Sequence, residues 1–373
     1  MTFIPSPLFI FNSERMMKDK LKYLEIPIFM IAVCWMLVHF TYCVRGDLSH
    51  SRDILTGYYA ETDNTLDLVM VGTSSTFSAV IPIELWGEYG IPSYDFCNNV
   101  MFENTMPYAI REMDKTQDPK LVVIDVAPFM FRHYSERYLN KKQYFLRYNT
   151  DAYKLSKNRI DLINAILPGD VPKLYYYLDF MFYHNNEILP EYFNWEKHSV
   201  YKGYNNLGIQ VSFTEEDWSD ESFSDYELPA KEKAFLDTLL SELSEHDFEV
   251  LFFCGPYFRC QEKIEAAKRE EWVQAYLEGK GYSFLNMDLY RDEIGIDPQL
   301  DYSLDYNHYN LESAEKITHF LGDYLCRNYD FENKSSLKEY SGWNEDYEEW
   351  KNVLYPQEEE RLREWRESFT GLR

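Results

Sequence analysis

Five short apolar runs, set between stretches of helical periodicity, restrict what this chain can fold into. The first is Leu66-Asp67-Leu68-Val69-Met70-Val71 and the clearest is Leu121-Val122-Val123-Ile124-Asp125-Val126. Ile91-Pro92-Ser93-Tyr94-Asp95-Phe96-Cys97, Glu249-Val250-Leu251-Phe252-Phe253-Cys254 and Tyr282-Ser283-Phe284-Leu285-Asn286-Met287 complete the set. Short runs of this kind suit strands buried on both faces. Helical patterns over 103–116, 230–246, 261–279 and 310–328 lie between most of them. Strands alternating with helices imply an α/β fold with a mostly parallel sheet, covered on both faces. Sites in such folds form beyond the carboxyl ends of the strands.

Two segments far apart in the chain read as halves of one site at that end. Gly72-Thr73-Ser74-Ser75 follows the first run directly. An apolar strand running into a Gly-x-Ser turn presents a serine hydroxyl at the end of a sheet. Asp305-Tyr306-Asn307-His308 stands just before the last helical pattern. A serine hydroxyl is a weak nucleophile that needs a base, and the base needs an orienting group. An Asp-x-x-His pair supplies both, so the expected catalytic set is Ser74, His308 and Asp305. Plainer roles stand beside it. Ser74 equally suits a helix N-cap, as do Thr73, Ser75 and Thr76. His308 and Asp305 equally suit an exposed helix start. Ser75 is the second choice of nucleophile. His133, His184, His198, His246 and His319 lack a comparable partner block and read as structural or exposed.

Ile26 to Val44 reads IPIFMIAVCWMLVHFTYCV, with no formal charge. That matches the length of a helix crossing the hydrocarbon core. Pro27 is tolerable in a first turn, and Tyr23 and Tyr42 stand near the two ends, where aromatic belts form. Arg15, Lys18, Lys20 and Lys22 precede the run, whereas only Arg45 and Arg52 follow closely. By the positive-inside rule, residues 1–25 are expected in the cytoplasm and the C-terminal bulk outside. A cleaved signal peptide is the rival, but Thr41-Tyr42-Cys43-Val44-Arg45 offers no small-x-small cleavage site. A buried core helix is the other alternative. The expectation is a single-pass, uncleaved anchor in the cell membrane.

Composition narrows the classes further. The formal net charge of -26 argues against a nucleic-acid binder and against general adhesion to anionic lipid headgroups. The acidity reads as solubility. Aromatic residues make up 17% of the chain, enough for a sizeable core with rings left over to line a groove. The cysteines show no CxxC or Cys/His spacing, so neither a structural metal nor a cofactor is expected. Cys254 and Cys260 are near enough in sequence for a disulfide but read as two unpaired thiols.

Residues 60–330 hold the α/β pattern, interrupted at 128–229 by a ring-rich insertion that includes Tyr175-Tyr176-Tyr177. The insertion is expected to supply helices that cap the sheet. Residues 331–373 are strongly charged and carry Trp343, Trp350 and Trp365. They read as a helical appendage that docks by its tryptophans.

Gly72-Thr73-Ser74-Ser75, Ile91-Pro92-Ser93-Tyr94, Leu121-Val122-Val123-Ile124-Asp125 and Asp305-Tyr306-Asn307-His308-Tyr309-Asn310 occur in that order. With these blocks, residues 60–330 resemble the SGNH/GDSL hydrolase superfamily. Within it, the likeness is to membrane-anchored bacterial members: DltD-like D-alanyl transfer proteins and polysaccharide O-acetylation proteins. The resemblance implies a three-layer sandwich of the flavodoxin-like SGNH kind, with the triad on Ser74, His308 and Asp305. It also implies an oxyanion hole made by the nucleophile's N–H, a glycine after the second strand and an asparagine after the third. Here Cys97 stands at the glycine position and Asp95 replaces the usual asparagine before it. Ala127-Pro128-Phe129 follows the third strand in place of a Gly-x-Asn block. The third donor is therefore open between Asn98 and Asn99, since side-chain amides are good oxyanion donors.

Two functions follow as expectations. One is a membrane-anchored extracytoplasmic serine esterase or O-acyltransferase acting on cell-envelope glycan or a teichoic-acid-like polymer. The other is a non-catalytic partner of a multi-span membrane acyltransferase.

Overall fold

The computed structural model describes residues 23–40, 50–131, 143–167, 169, 171–185, 196–207, 214–218, 223, 226–302 and 308–370. All five expected runs form strands: β1 (Leu68–Gly72), β2 (Ser93–Cys97), β3 (Leu121–Asp125), β4 (Glu249–Cys254) and β5 (Ser283–Asn286). They make one sheet in the order β2-β1-β3-β4-β5, and every pairing is parallel. Pro92 stays outside β2 because it has no N–H to donate. Its carbonyl instead accepts from Asp67 and Leu68 at the start of β1. Strand order reverses between β1 and β3, so these neighbours flank a topological switch point, where open α/β sheets place their sites. The carboxyl ends of the two strands are Gly72 and Asp125.

The apolar content of the runs explains the burial. Every residue of β1, β2 and β3 is buried. Leu68, Met70, Leu121, Val123, Leu251 and Phe253 share one core with Ile317, Leu321 and Leu325. Each such side chain contributes about 1.5–3 kcal/mol when fully buried. Cys254 and Cys260 are free thiols.

Among the described residues, the α-helices of six residues or more are α1 (Tyr23–Phe40), α2 (His50–Tyr58), α3 (Ser74–Ala79), α4 (Pro82–Tyr89), α5 (Met106–Met113) and α6 (Gln143–Thr150). There follow α7 (Lys157–Ile166), α8 (Ala230–Leu243), α9 (Ile264–Gly279), α10 (Leu311–Asn328), α11 (Ser341–Glu349) and α12 (Tyr355–Thr370). The helical patterns of the sequence correspond to α5, α8, α9 and α10.

Contacts divide the chain into two units: 1–46 with 172–194, and 47–171 with 195–373. The first unit contains α1, which is solvent-exposed, apolar and 18 residues long, with mean hydropathy 1.8. At 1.5 Å per residue that is about 27 Å, long enough to span a membrane. Residues 41–44 of the expected span lie outside the described residues. The 128–229 insertion contributes only helices and turns among its described residues. Its stretch 172–194 groups with α1, and the rest with the sheet.

Within the second unit, the C-terminal appendage is helical and docks through its rings. Trp350 is fully buried and donates its indole N–H to the Glu84 carboxylate. Tyr201 and Tyr204 meet its ring edge-on at 5.6 and 6.0 Å. Trp343 lies 5.4 Å from Trp86, whose indole N–H donates to Asn344 Oδ1 at 3.1 Å. Lys202 is buried above the Trp343 ring and pairs with Glu61 and Asp346, each at 2.8 Å. Arg366 grips Glu312 of α10 bidentately at 2.6 Å.

Candidate active site

At the end of β1 the chain turns into α3 through Thr73. Thr73 is extended, and its Oγ1 accepts the Ser75 N–H at 3.3 Å, which makes it the side-chain N-cap. Ser74 is therefore the first helical residue and not the cap. Its side chain is half-buried at the carboxyl end of the sheet.

β3 ends on Asp125 beside this turn. Asp125 Oδ2 accepts from Thr76 Oγ1 at 2.7 Å, Ser75 Oγ at 3.0 Å and Thr73 Oγ1 at 3.3 Å. Its Oδ1 accepts the Ala127 N–H at 2.8 Å. Burial pushes the carboxyl above its ordinary range, and these hydrogen bonds pull it partly back. Asp125 thus fixes the three hydroxyls around Ser74. Its close approach requires glycine at 72: a Cβ there would run into Thr76 Oγ1 and stand 2.7 Å from Asp125 Cβ. Sequence reasoning missed this role. The available signal was a carboxylate closing an apolar strand next to a hydroxyl-rich turn.

The Ser74 hydroxyl meets His308, whose Nε2 lies 2.7 Å from Ser74 Oγ across 234 positions of chain. That is within the range for a nucleophile and its base. A bracket of contacts holds the histidine from its C-terminal side. The Tyr309 N–H donates to Ser78 Oγ in α3 at 3.4 Å, and its hydroxyl donates to the Pro256 carbonyl at 2.5 Å. Gly255 leaves the space that the Tyr309 phenol occupies. Asn310 caps α10 by accepting the Ser313 N–H at 3.2 Å. Thr318 of α10 accepts the Ile81 N–H at 2.8 Å, tying α10 to the segment after α3. Asp305 lies outside the described residues.

The three residues considered for the oxyanion hole have distinct surroundings. Cys97 is buried in β2, and its thiol points to the Met70 carbonyl at 3.8 Å. The Asn98 N–H donates to the Gly72 carbonyl at 3.2 Å, and its side chain bonds to the Tyr153 hydroxyl. The Asn99 N–H donates to Ser51 Oγ at 3.1 Å. Asn99 Oδ1 is buried without a partner among the described residues. Asp95 is fully buried with neither carboxylate oxygen hydrogen-bonded, and burial pushes it well above the usual carboxylate range.

A cavity of about 20 Å³ opens beside Ser75 and Asp125, walled by Met130, Cys254, Tyr257 and Tyr309. It has room for a group about the size of a water molecule. Among the described residues, no set of three or more His, Cys, Asp or Glu is placed to hold a metal ion. No protein-family model and no curated protein matches the chain. The functional reading therefore stands on the site itself.

Proposed function

We propose that this chain is an SGNH-type serine acyl esterase or O-acyltransferase, anchored by α1, with its α/β domain on the outer side of the membrane. The proposed fold is the three-layer sandwich of that superfamily, and the proposed substrate is a cell-envelope glycan or a teichoic-acid-like polymer. The observation that carries the reading is the 2.7 Å contact between Ser74 Oγ and His308 Nε2 at the carboxyl end of a parallel sheet. Ser75 fits the nucleophile role less well, because its hydroxyl is held by Asp125.

In this reading His308 Nε2 takes the Ser74 proton as Oγ attacks the acyl carbonyl carbon. The imidazolium then gives its proton to the departing oxygen, leaving Ser74 acylated. Water or a sugar hydroxyl, deprotonated by His308, releases the acyl group. Asp305 is assigned the task of orienting the imidazole.

The second reading, a non-catalytic partner of a membrane acyltransferase, draws on one observation. The backbone N–H groups of Asn98 and Asn99 are already spent on Gly72 and Ser51. A fluorophosphonate probe separates the two. The full-length protein is expected to take the label, to lose it in Ser74→Ala and to keep it in Ser75→Ala. Folded wild-type protein that takes no label removes the hydrolase reading and leaves the partner reading.

A further inference from the structure

We infer that a second cavity, between the 199–206 segment and α12, binds a neutral saccharide, and that the polymer is a neutral glycan and not a phosphate-linked one. The inference rests on the proposed action at Ser74 for its choice of a glycan. The cavity itself rests on its own chemistry.

The cavity has a volume of about 300 Å³, and its lining includes Asp53, Tyr201, Tyr204, Asn206, Glu358 and Arg361. That is the lower end of the range for small-molecule sites. Glu358 is nearly buried and held in place: it accepts from Tyr201 Oη at 3.2 Å and Asn206 Nδ2 at 2.9 Å, and pairs with Arg361 at 2.5 Å. A carboxylate accepts about four hydrogen bonds, so among the described residues one place is left for a ligand hydroxyl. Two donors in the same wall, the Tyr204 hydroxyl and Arg361 Nε, are buried without a partner among the described residues. An unpaired buried donor costs about 1–3 kcal/mol, which an acceptor reaching it would recover. A ligand that both donates and accepts, with a face to set against the half-buried Tyr201 ring, is a polyhydroxylated ring.

Charge decides between the polymer types. Two carboxylates, Asp53 and Glu358, face one guanidinium in a chain of net charge -26. A polyol phosphate would meet repulsion there, whereas a neutral sugar would not. The cavity also reaches the nucleophile's helix. The Asn205 N–H donates to the Phe77 carbonyl of α3 at 2.8 Å, and the Asp95 N–H of β2 donates to the Lys202 carbonyl at 3.0 Å. Gly203 (φ +93°) permits this approach, since a Cβ there would run into the Asp95 carbonyl. Bound saccharide is thus one backbone hydrogen bond from the helix that starts at Ser74.

The test is saturation-transfer NMR on the full chain in detergent, with chitotriose, cellotriose and maltotriose against oligomeric glycerol phosphate. At least one neutral trisaccharide is expected to receive transfer and glycerol phosphate none. Ser74→Ala should retain the signal. Asp53→Ala, at an exposed position that does not threaten folding, and Tyr201→Phe, which keeps the ring, should each weaken binding about tenfold or more. The inference is overturned by transfer to glycerol phosphate alone, by no transfer to any trisaccharide, or by binding indifferent to both cavity variants. If saccharide binds but Ser74 takes no fluorophosphonate, the catalytic reading fails and the cavity stands. The reverse outcome removes the cavity alone.

Discussion

At the scale of single residues, the site depends on which hydroxyl is left over. Asp125 holds Thr73, Ser75 and Thr76, so Ser74 meets His308. The same accounting separates the two asparagines. Asn98 donates both its backbone N–H, to Gly72, and its side-chain amide, to Tyr153, whereas the Asn99 side-chain amide has no such bond among the described residues; the Oδ1 atoms of both are unpartnered there. Asn99→Ala should therefore raise the barrier for hydrolysis of a simple acetyl ester by about 2.7–4 kcal/mol, mainly in kcat. Asn98→Ala should act mainly on thermal stability. Steady-state kinetics paired with melting curves check this, and equal kinetic loss in both variants would sink the distinction. Ser74 and His308 were legible in the sequence because local motifs mark them. Asp125 was not, because its part is set by a pairing between strands that no local pattern records.

At the scale of elements, the five strands were legible because burial on both faces makes each run apolar. The helices α2, α3 and α4 were not marked by the same periodicity, and the partners of Lys202 were invisible, since its carboxylates come from positions 61 and 346. Trp350→Ala removes a fully buried ring from under α12 and should cost about 3–5 kcal/mol. Limited proteolysis should then cut within 335–370 before the sheet domain unfolds. Helix α9 carries a different liability. Burial, with Asp288 nearby, raises Glu270 to about 8. A carboxyl raised on folding contributes its stability below its unfolded value, and loses it as pH climbs through the folded one. Between about pH 4.5 and 8, ionisation of Glu270 therefore weakens the fold. Glu270→Gln should match the wild type at pH 5 and exceed it by a few kcal/mol at pH 9. Chemical denaturation at the two pH values measures the gap, and a gap present at pH 5 would assign it to packing.

At the scale of the whole molecule, α1 is long and apolar enough to span a membrane, and the charge pattern around it is the basis of the proposed orientation. The full-length chain should sediment with membranes, and protease added outside intact cells should digest the C-terminal domain. Protection would reverse the proposed orientation, and a soluble, N-terminally trimmed product would remove the anchor. The 234-residue gap between Ser74 and His308 carries a last consequence. The serine is synthesised early and its base late, so a ribosome-bound or prematurely terminated chain holds an unarmed hydroxyl. Only the docking of α10 beside α3 completes the pair. If Ser74 acts as proposed, its first turnover certifies that the chain was finished and folded through residue 308, and fragments shed during biogenesis cannot strip acyl groups from the envelope.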